Sequence, residues 1–469
     1  KSDAAGRGVY AAADYDELVD HPVELGRFWR GRFEARGVPH DYVVSGALPD
    51  FDGERLLADV RRLCETEIEF WHGAKKKPPF ERYVFLHNLV EEGHGGLEHR
   101  ASTALISPRR DMPRRGQRDA SDGYANLLGL VSHEYFHTWN VKRLRPAEFG
   151  TYDYTRENYT ELLWFFEGFT SYFDDLLLRR AGLIDAAGYL RLLAKTVTGV
   201  LGTPGRRVQS VAQASFDAWV KYYRGDENTP NATISYYTKG ALVALALELT
   251  LRGAGTAARA GAAKADTAKR NAKAGRSGTL DDVMRHLWTT SQGGPIGEAD
   301  IAAALQAVSG RSFDAELAAW VHGTGELPLR ELLAAAGVAW QQQPATLAQR
   351  LGLRASESAL TGVKVTQVLS GGAAQQAGLA AGDELLALDG WRLRRLDDAL
   401  RLLVPGVPAT LLVARDQRVL TLSLRLPPAG EAEAAGPVLL SLADAAGAAG
   451  ATSPAARAMR ARRDAWLAG

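Results

Sequence analysis

Two histidines stand four positions apart with a glutamate directly after the first, in His133-Glu134-Tyr135-Phe136-His137. On a helix, residues four apart share a face, so both imidazoles can grip one metal ion. Glu134, beside the first of them, is placed to take a proton from a water held by that metal. The spacing is that of zinc sites that cleave amide bonds. Leu127, Leu128, Val131 and Tyr135 recur at near-helical intervals around it. Ser121 and Asp122 can start such a helix, and Pro146 can stop it. A histidine pair on a solvated helix would look the same, so partners elsewhere in the chain must decide.

A hydrolytic zinc takes three protein ligands and keeps a fourth position open. The candidate third ligand is Glu167, in Leu163-Trp-Phe-Phe-Glu-Gly-Phe-Thr-Ser-Tyr-Phe173. A carboxylate in so aromatic a stretch is costly to bury unless something compensates it, and a zinc ion would. Glu157 and Glu161 lie nearer His137, in more polar surroundings. The alternative for Glu167 is a capping or salt-bridged side chain. With His133 and His137, it implies one Zn2+ per chain.

These residues need a scaffold. The chain has 469 residues, enough for two or three domains, and 46% are hydrophobic, the share of a globular protein. Lys plus Arg is 56 against 55 acidic residues, so net charge +1 gives no footprint for nucleic acid. No apolar run is long enough to span a membrane. Cys64, the single cysteine, lies in an amphipathic pattern and reads as a buried hydrophobe. A lone cysteine and no signal-like segment favour a cytoplasmic protein.

Residues 54–70 pattern as a helix. Residues 82–90 pattern as a strand that delivers Gly95 and Gly96, a glycine pair suited to a substrate edge. Helices dominate from the histidine pair onward, so a strand-rich half precedes a helical half, an α+β arrangement. Residues 253–277 are Ala, Gly, Lys and Arg with little to bury, and read as an insertion. Helical pattern resumes behind Thr279 as N-cap.

Together these segments resemble a family. Residues 164–173 look like the third-ligand helix of the aminopeptidase N clan, the gluzincins. Tyr237-Thr-Lys-Gly-Ala241 is similar to the clan's Tyr-x-Lys-Gly-Ala segment, whose tyrosine donates a hydrogen bond to the transition-state oxyanion. Gly95-Gly-Leu-Glu-His99 is similar to the Gly-x-Met-Glu-Asn motif, whose glutamate holds the substrate's amino group. The resemblance thus implies catalytic roles for Glu134 and Tyr237, and substrate binding at Gly95, Gly96 and Glu98. Tyr236 is the neighbouring alternative to Tyr237. Glu167 follows His137 at a wider gap than in aminopeptidase N. With His137-Thr-Trp-Asn-Val-Lys-Arg-Leu-Arg-Pro146, the Tyr15–Glu24 run and a PDZ-like module downstream, that gap resembles the glycyl aminopeptidase family.

The module is carried by Gly371–Gly390, which resembles the PDZ signature of bacterial proteases, with Asp397–Leu403 as its helix. Leu351-Gly352-Leu353 is its candidate turn for a peptide C-terminal carboxylate. The resemblance implies a thermolysin-like catalytic domain over 45–340 and a PDZ domain over 345–427. An Ala/Gly/Arg-rich tail would cover 428–469. Residues 1–44 would be the end of a β-rich domain or a connector, with any targeting segment ahead of it absent. The implied activity is removal of N-terminal residues, small ones such as Gly or Ala, from peptides with a free N-terminus. The rivals are a zinc endopeptidase recruiting substrate through the PDZ domain, and a non-enzymatic peptide scaffold. The intact Glu134 argues against the latter.

Overall fold

The computed structural model describes residues 8–74, 76–117, 120–262, 278–360, 362–428, 436–443 and 454–469. The early segments build one five-stranded sheet, with alternating burial along its first and third strands and near-continuous burial along its second. Its strands are β1 (Trp29–Ala35), β2 (Val38–Ser45), β3 (Tyr83–Val90), β4 (Gly95–Glu98) and β5 (Ser102–Pro108), in the order β1-β2-β3-β5-β4. Arg36 and Gly37, both at positive φ, make the tight β1–β2 turn. β2, β3 and β5 run parallel, and β4 runs antiparallel to β5 at the sheet's edge. Helix α1 (Gly53–His72) makes the crossover from β2 to β3. The Asp52 carboxylate accepts the Arg55 N–H at its start and Gly73, at φ 73°, ends it. Its stripe Leu56, Val60, Leu63, Cys64, Ile68 and Trp71 is buried, and Cys64 is a packed core residue as its pattern implied.

The sheet carries the helical half. Helix α2 (Asp122–Phe136) begins behind Ser121, whose hydroxyl accepts the Tyr124 N–H. It ends at Phe136, well short of Pro146, because the chain turns out through Asn140 and Val141, the latter at φ 144°. Helix α3 (Leu163–Arg180) buries Trp164, Phe165, Phe166, Phe169 and Phe173. Apolar nearly all round, it lies in the interior, with α2, α4 (Ala186–Leu201) and α5 (Thr238–Ala262) around it. Gly168 of α3 meets Gly240 of α5, where a Cβ on Gly168 would lie 2.6 Å from the Gly240 Cα. Thr279 caps its helix through a box with Asp282. Helix α5 covers the first part of the expected insertion, and 263–277 lie outside the described residues.

The outer boundaries differ from expectation. A break between 44 and 45 would cut β2, which is an inner strand of the sheet. Nor is the end of the chain a loose tail. β13 (Val438–Leu442) pairs antiparallel with β6 (Val338–Gln342), and the Gln343 N–H donates to the Pro437 carbonyl at 2.8 Å. Helix α6 (Pro454–Ala468) buries Trp466 completely, with its indole N–H on the Tyr172 hydroxyl of α3 at 2.9 Å. Trp466 and the neighbouring Leu467, 3% exposed, are the buried residues by which this Ala/Arg-rich segment docks.

Between the paired β6 and β13 lies a unit with its own core. Its strands are β7 (Leu353–Ser358), β8 (Gly362–Val368), β9 (Glu384–Leu388), β10 (Trp391–Arg392), β11 (Pro408–Arg415) and β12 (Arg418–Arg425). Their order is β12-β11-β9-β8-β7, with β10 on β9. The helix expected over Asp397–Leu403 is a 3-10 turn at Leu396–Arg401. Asn231, from the first body, clasps this unit: its amide donates to the Val368 carbonyl and accepts the Ser370 N–H, both at 2.8 Å.

Candidate active site

His133 and Glu134 project from the last turn of α2, and His137 caps its end. The two imidazole rings lie 4.6 Å apart, nearly perpendicular. Each is aimed by its Nδ1, which faces Asp174 Oδ2 at 3.0 Å in His133 and the Asn140 carbonyl at 2.8 Å in His137. The Asn140 amide donates in turn to the Phe166 carbonyl and the Thr170 hydroxyl of α3. Both Nε2 atoms are thereby turned to one point, where Glu167 Oε2 lies 3.3 Å from His133 and 3.2 Å from His137. The first turn of α3 is secured by Ser215, whose hydroxyl accepts the Trp164 N–H at 2.9 Å.

Two nitrogens and one carboxylate oxygen suit zinc. Ligand atoms held at ordinary zinc bond lengths in a tetrahedron stand about 3.3–3.4 Å from one another, close to the Glu167 separations. Burial pushes the Glu167 carboxyl up, but His137 and His133 outweigh it and hold it well below the usual carboxylate range. Among the described residues, His133, His137 and Glu167 form the group able to hold a metal. Glu157 and Glu161 take no part in it. Asp174 was not foreseen. It lies two turns beyond Glu167 on the same helix, and a second acid at that interval was the available signal.

Glu134 lies beside this cluster. Burial pushes its carboxyl up to about 7, against His133 and His137. Its Oε2 is buried with no hydrogen-bond partner. Strand β4 passes so close that a Cβ on Gly96 would lie 2.3 Å from the Glu134 carboxyl carbon, which explains one of the two glycines physically. Glu98 ends β4 and shares a cavity of about 1130 Å³ with Gly95, Gly96, Glu134, the two histidines, Glu167 and Tyr237. No hydrogen bond or ion pair engages the Glu98 side chain among the described residues. His99 faces away, its Nδ1 toward Asp20 at 3.4 Å.

Tyr237 lines the cavity, its ring 6.1 Å from that of His133, whereas Tyr236 is 1% exposed and turned into the core. Burial raises the pKa of both phenols, so each hydroxyl keeps its hydrogen. Tyr222 and Tyr223 also line the cavity, and nothing in their own sequence marked them.

Leu351-Gly352-Leu353 is not an open turn. Gly352, at φ 70°, ends the helix Leu347–Leu351, and its N–H donates back to the Gln349 carbonyl at 3.1 Å. The flanking leucines are buried at 1% and 2% exposure. The Gly352 N–H is therefore already engaged within the fold.

Sheet, helical half and buried His-His-Glu cluster define a metallopeptidase of thermolysin-like architecture followed by a PDZ domain. Comparison with known proteins narrows this. The sequence profile of the M61 glycyl aminopeptidases matches residues 126–243, and that of a PDZ domain matches 364–415. The crystal structure of an aminopeptidase N family protein from Idiomarina loihiensis superposes with TM-score 0.81 at 34% identity, covering 97% of this chain and 73% of that one. A mutant M1 zinc metallopeptidase from Deinococcus radiodurans gives TM-score 0.39 at 17% identity over 65% of this chain and 54% of that one, too little to argue from. No curated protein sequence matches. The chain belongs to the glycyl aminopeptidase family and is a metallo-aminopeptidase. No helix among the described residues is long and apolar enough to cross a membrane.

Proposed function

We propose that this protein is a zinc-dependent aminopeptidase that removes small residues, Gly or Ala, from peptides with a free N-terminus. The observation that carries the proposal is the placing of two unengaged carboxylates, Glu134 and Glu98, in one cavity with the His133–His137–Glu167 cluster. One zinc ion on those three residues would supply Lewis acidity, polarising the scissile carbonyl and lowering the pKa of a water toward neutrality. Glu134 accepts that water's proton and returns it to the leaving amine. Tyr237 donates its hydroxyl hydrogen to the oxygen on which negative charge develops. Glu98 pairs with the protonated amino terminus, so that the first peptide bond alone reaches Glu134. Gly95 and Gly96 leave the substrate backbone room against β4. The preference for small residues rests on the family description.

Two paired substrates test this. Ala-p-nitroanilide should be turned over and its N-acetylated form should not. Glu98→Gln should raise KM for the free amine with a smaller change in kcat. Equal turnover of both substrates would sink the exopeptidase assignment and favour an endopeptidase.

A further inference from the structure

Tyr237 is the last of three linked hydroxyls. The Tyr236 hydroxyl, in a side chain 1% exposed, donates to the Tyr223 oxygen at 3.4 Å. The Tyr223 and Tyr237 oxygens lie 3.1 Å apart. Tyr223 comes from a 3-10 turn, Tyr222–Arg224, and is itself 66% exposed. That turn is packed on the pair it serves: the Tyr222 ring lies 4.8 Å from that of Tyr236 and 5.5 Å from that of Tyr237.

Each phenol has one hydrogen to give. With Tyr236 donating to the Tyr223 oxygen, Tyr223 is free to spend its own hydrogen on Tyr237. The Tyr237 hydrogen then has the cavity as its remaining direction. The reverse assignment, Tyr237 donating to Tyr223, would turn away the hydrogen that the developing oxyanion needs.

We propose that Tyr223 is a positioning residue: by donating to the Tyr237 oxygen it aims the Tyr237 hydrogen into the cavity and strengthens the bond it gives there. Donors linked in series polarise one another. The inference rests on the reading of Tyr237 as the oxyanion donor. It assigns Tyr223 no contact with substrate. Its effect therefore belongs in the transition state, where that bond forms, and passes wholly through Tyr237.

The experiment is a cycle of Tyr223→Phe and Tyr237→Phe in the full chain on Ala-p-nitroanilide, with melting temperature measured for each variant. Tyr223→Phe should lower kcat by about five- to tenfold, the worth of one net hydrogen bond, with KM and melting temperature unchanged. In the Tyr237→Phe background it should do nothing further. Tyr236→Phe should act in the same direction, more weakly. Unchanged or faster turnover by Tyr223→Phe overturns the proposal, because it would show Tyr223 to be idle or competing for the hydrogen. An equal loss in both backgrounds also overturns it, showing that Tyr223 acts independently of Tyr237. If Tyr237→Phe alone is near wild type, the oxyanion assignment itself fails, a result separable from the other two.

Discussion

Two places in the chain were expected to hold a peptide end, and they differ in what their polar atoms have left to offer. In the cleft, Glu98 has no partner among the described residues and Glu134 keeps a buried oxygen unbonded. At Leu351–Leu353 the Gly352 N–H is consumed in closing its own helix. Buried polar groups are nearly always paired within the fold, so an unpaired carboxylate that also lines a cavity is placed to meet a ligand. The cleft retains that unspent capacity and the Gly352 N–H does not. A short motif such as Leu-Gly-Leu records a backbone bend. Whether the bend faces a ligand or ends a helix depends on the residues before it, here the capping box of Thr346 and Gln349.

The largest expected effect tests the cleft side of this contrast. Glu134→Gln should keep zinc, measured by metal analysis at one per chain, and lose about 10²- to 10⁴-fold in kcat, the usual worth of a general base. The double variant His133→Ala/His137→Ala should lose the metal itself. Near-normal turnover with glutamine at 134 would show that its free oxygen waits for nothing.

The next effect concerns the body that holds the cleft. Trp466 is wholly buried against α3, the helix that carries Glu167. Trp466→Ala should lower unfolding free energy by about 3–5 kcal/mol, read from the denaturant midpoint. A shift below about 1 kcal/mol would mean that the last helix is peripheral.

Acid should loosen the same body. His40, on β2, is buried against α2, bonded to the Val38 carbonyl and the Tyr135 hydroxyl, and burial lowers its pKa to about 4. The unfolded chain takes that proton near pH 6.5, the folded chain only near pH 4. Unfolding therefore takes up a proton between those values. The stability His40 contributes is full above pH 6.5 and is lost as pH falls toward 4, by about 3 kcal/mol in all. His87, also buried, has its pKa lowered to about 3 and adds in the same direction. Stability measured against pH should decline across that window, and His40→Gln should flatten the decline. An unaltered slope in that variant would remove His40 from the account.

Much of the cleft was legible because its signals are local. The histidine spacing, a carboxylate among aromatics and the Ser121 cap each lie within a few turns of one helix. The parts that were not legible depend on what lies beside them in space. Asn140 aims His137 only because the chain turns out of α2 after His137, and that turn answers to the packing of α3. The pairing of β6 with β13 joins segments on either side of the PDZ unit. The reading of 428–469 as an Ala/Gly/Arg-rich tail followed from composition, which is blind to the docking of Trp466 and Leu467.

The smallest effect sharpens the comparison from the PDZ side. Truncation near Gln343 would remove β13 and Trp466 along with the PDZ unit, and so would test the wrong thing. Joining 343 to 437 through a short linker removes the unit alone, because those residues are already hydrogen-bonded neighbours. Turnover of a single-residue amide should then stay within about twofold of the intact protein, as for an independent site. The Asn231 clasp is what could break that independence, since Asn231 lies six residues before Tyr237. If the clasp steadies that segment, Asn231→Ala in the intact chain should reproduce whatever loss of kcat the excision causes. If the excised protein loses activity that Asn231→Ala does not, the unit reaches the cleft by another contact. If neither loses any, the two regions share a chain and no chemistry on short substrates.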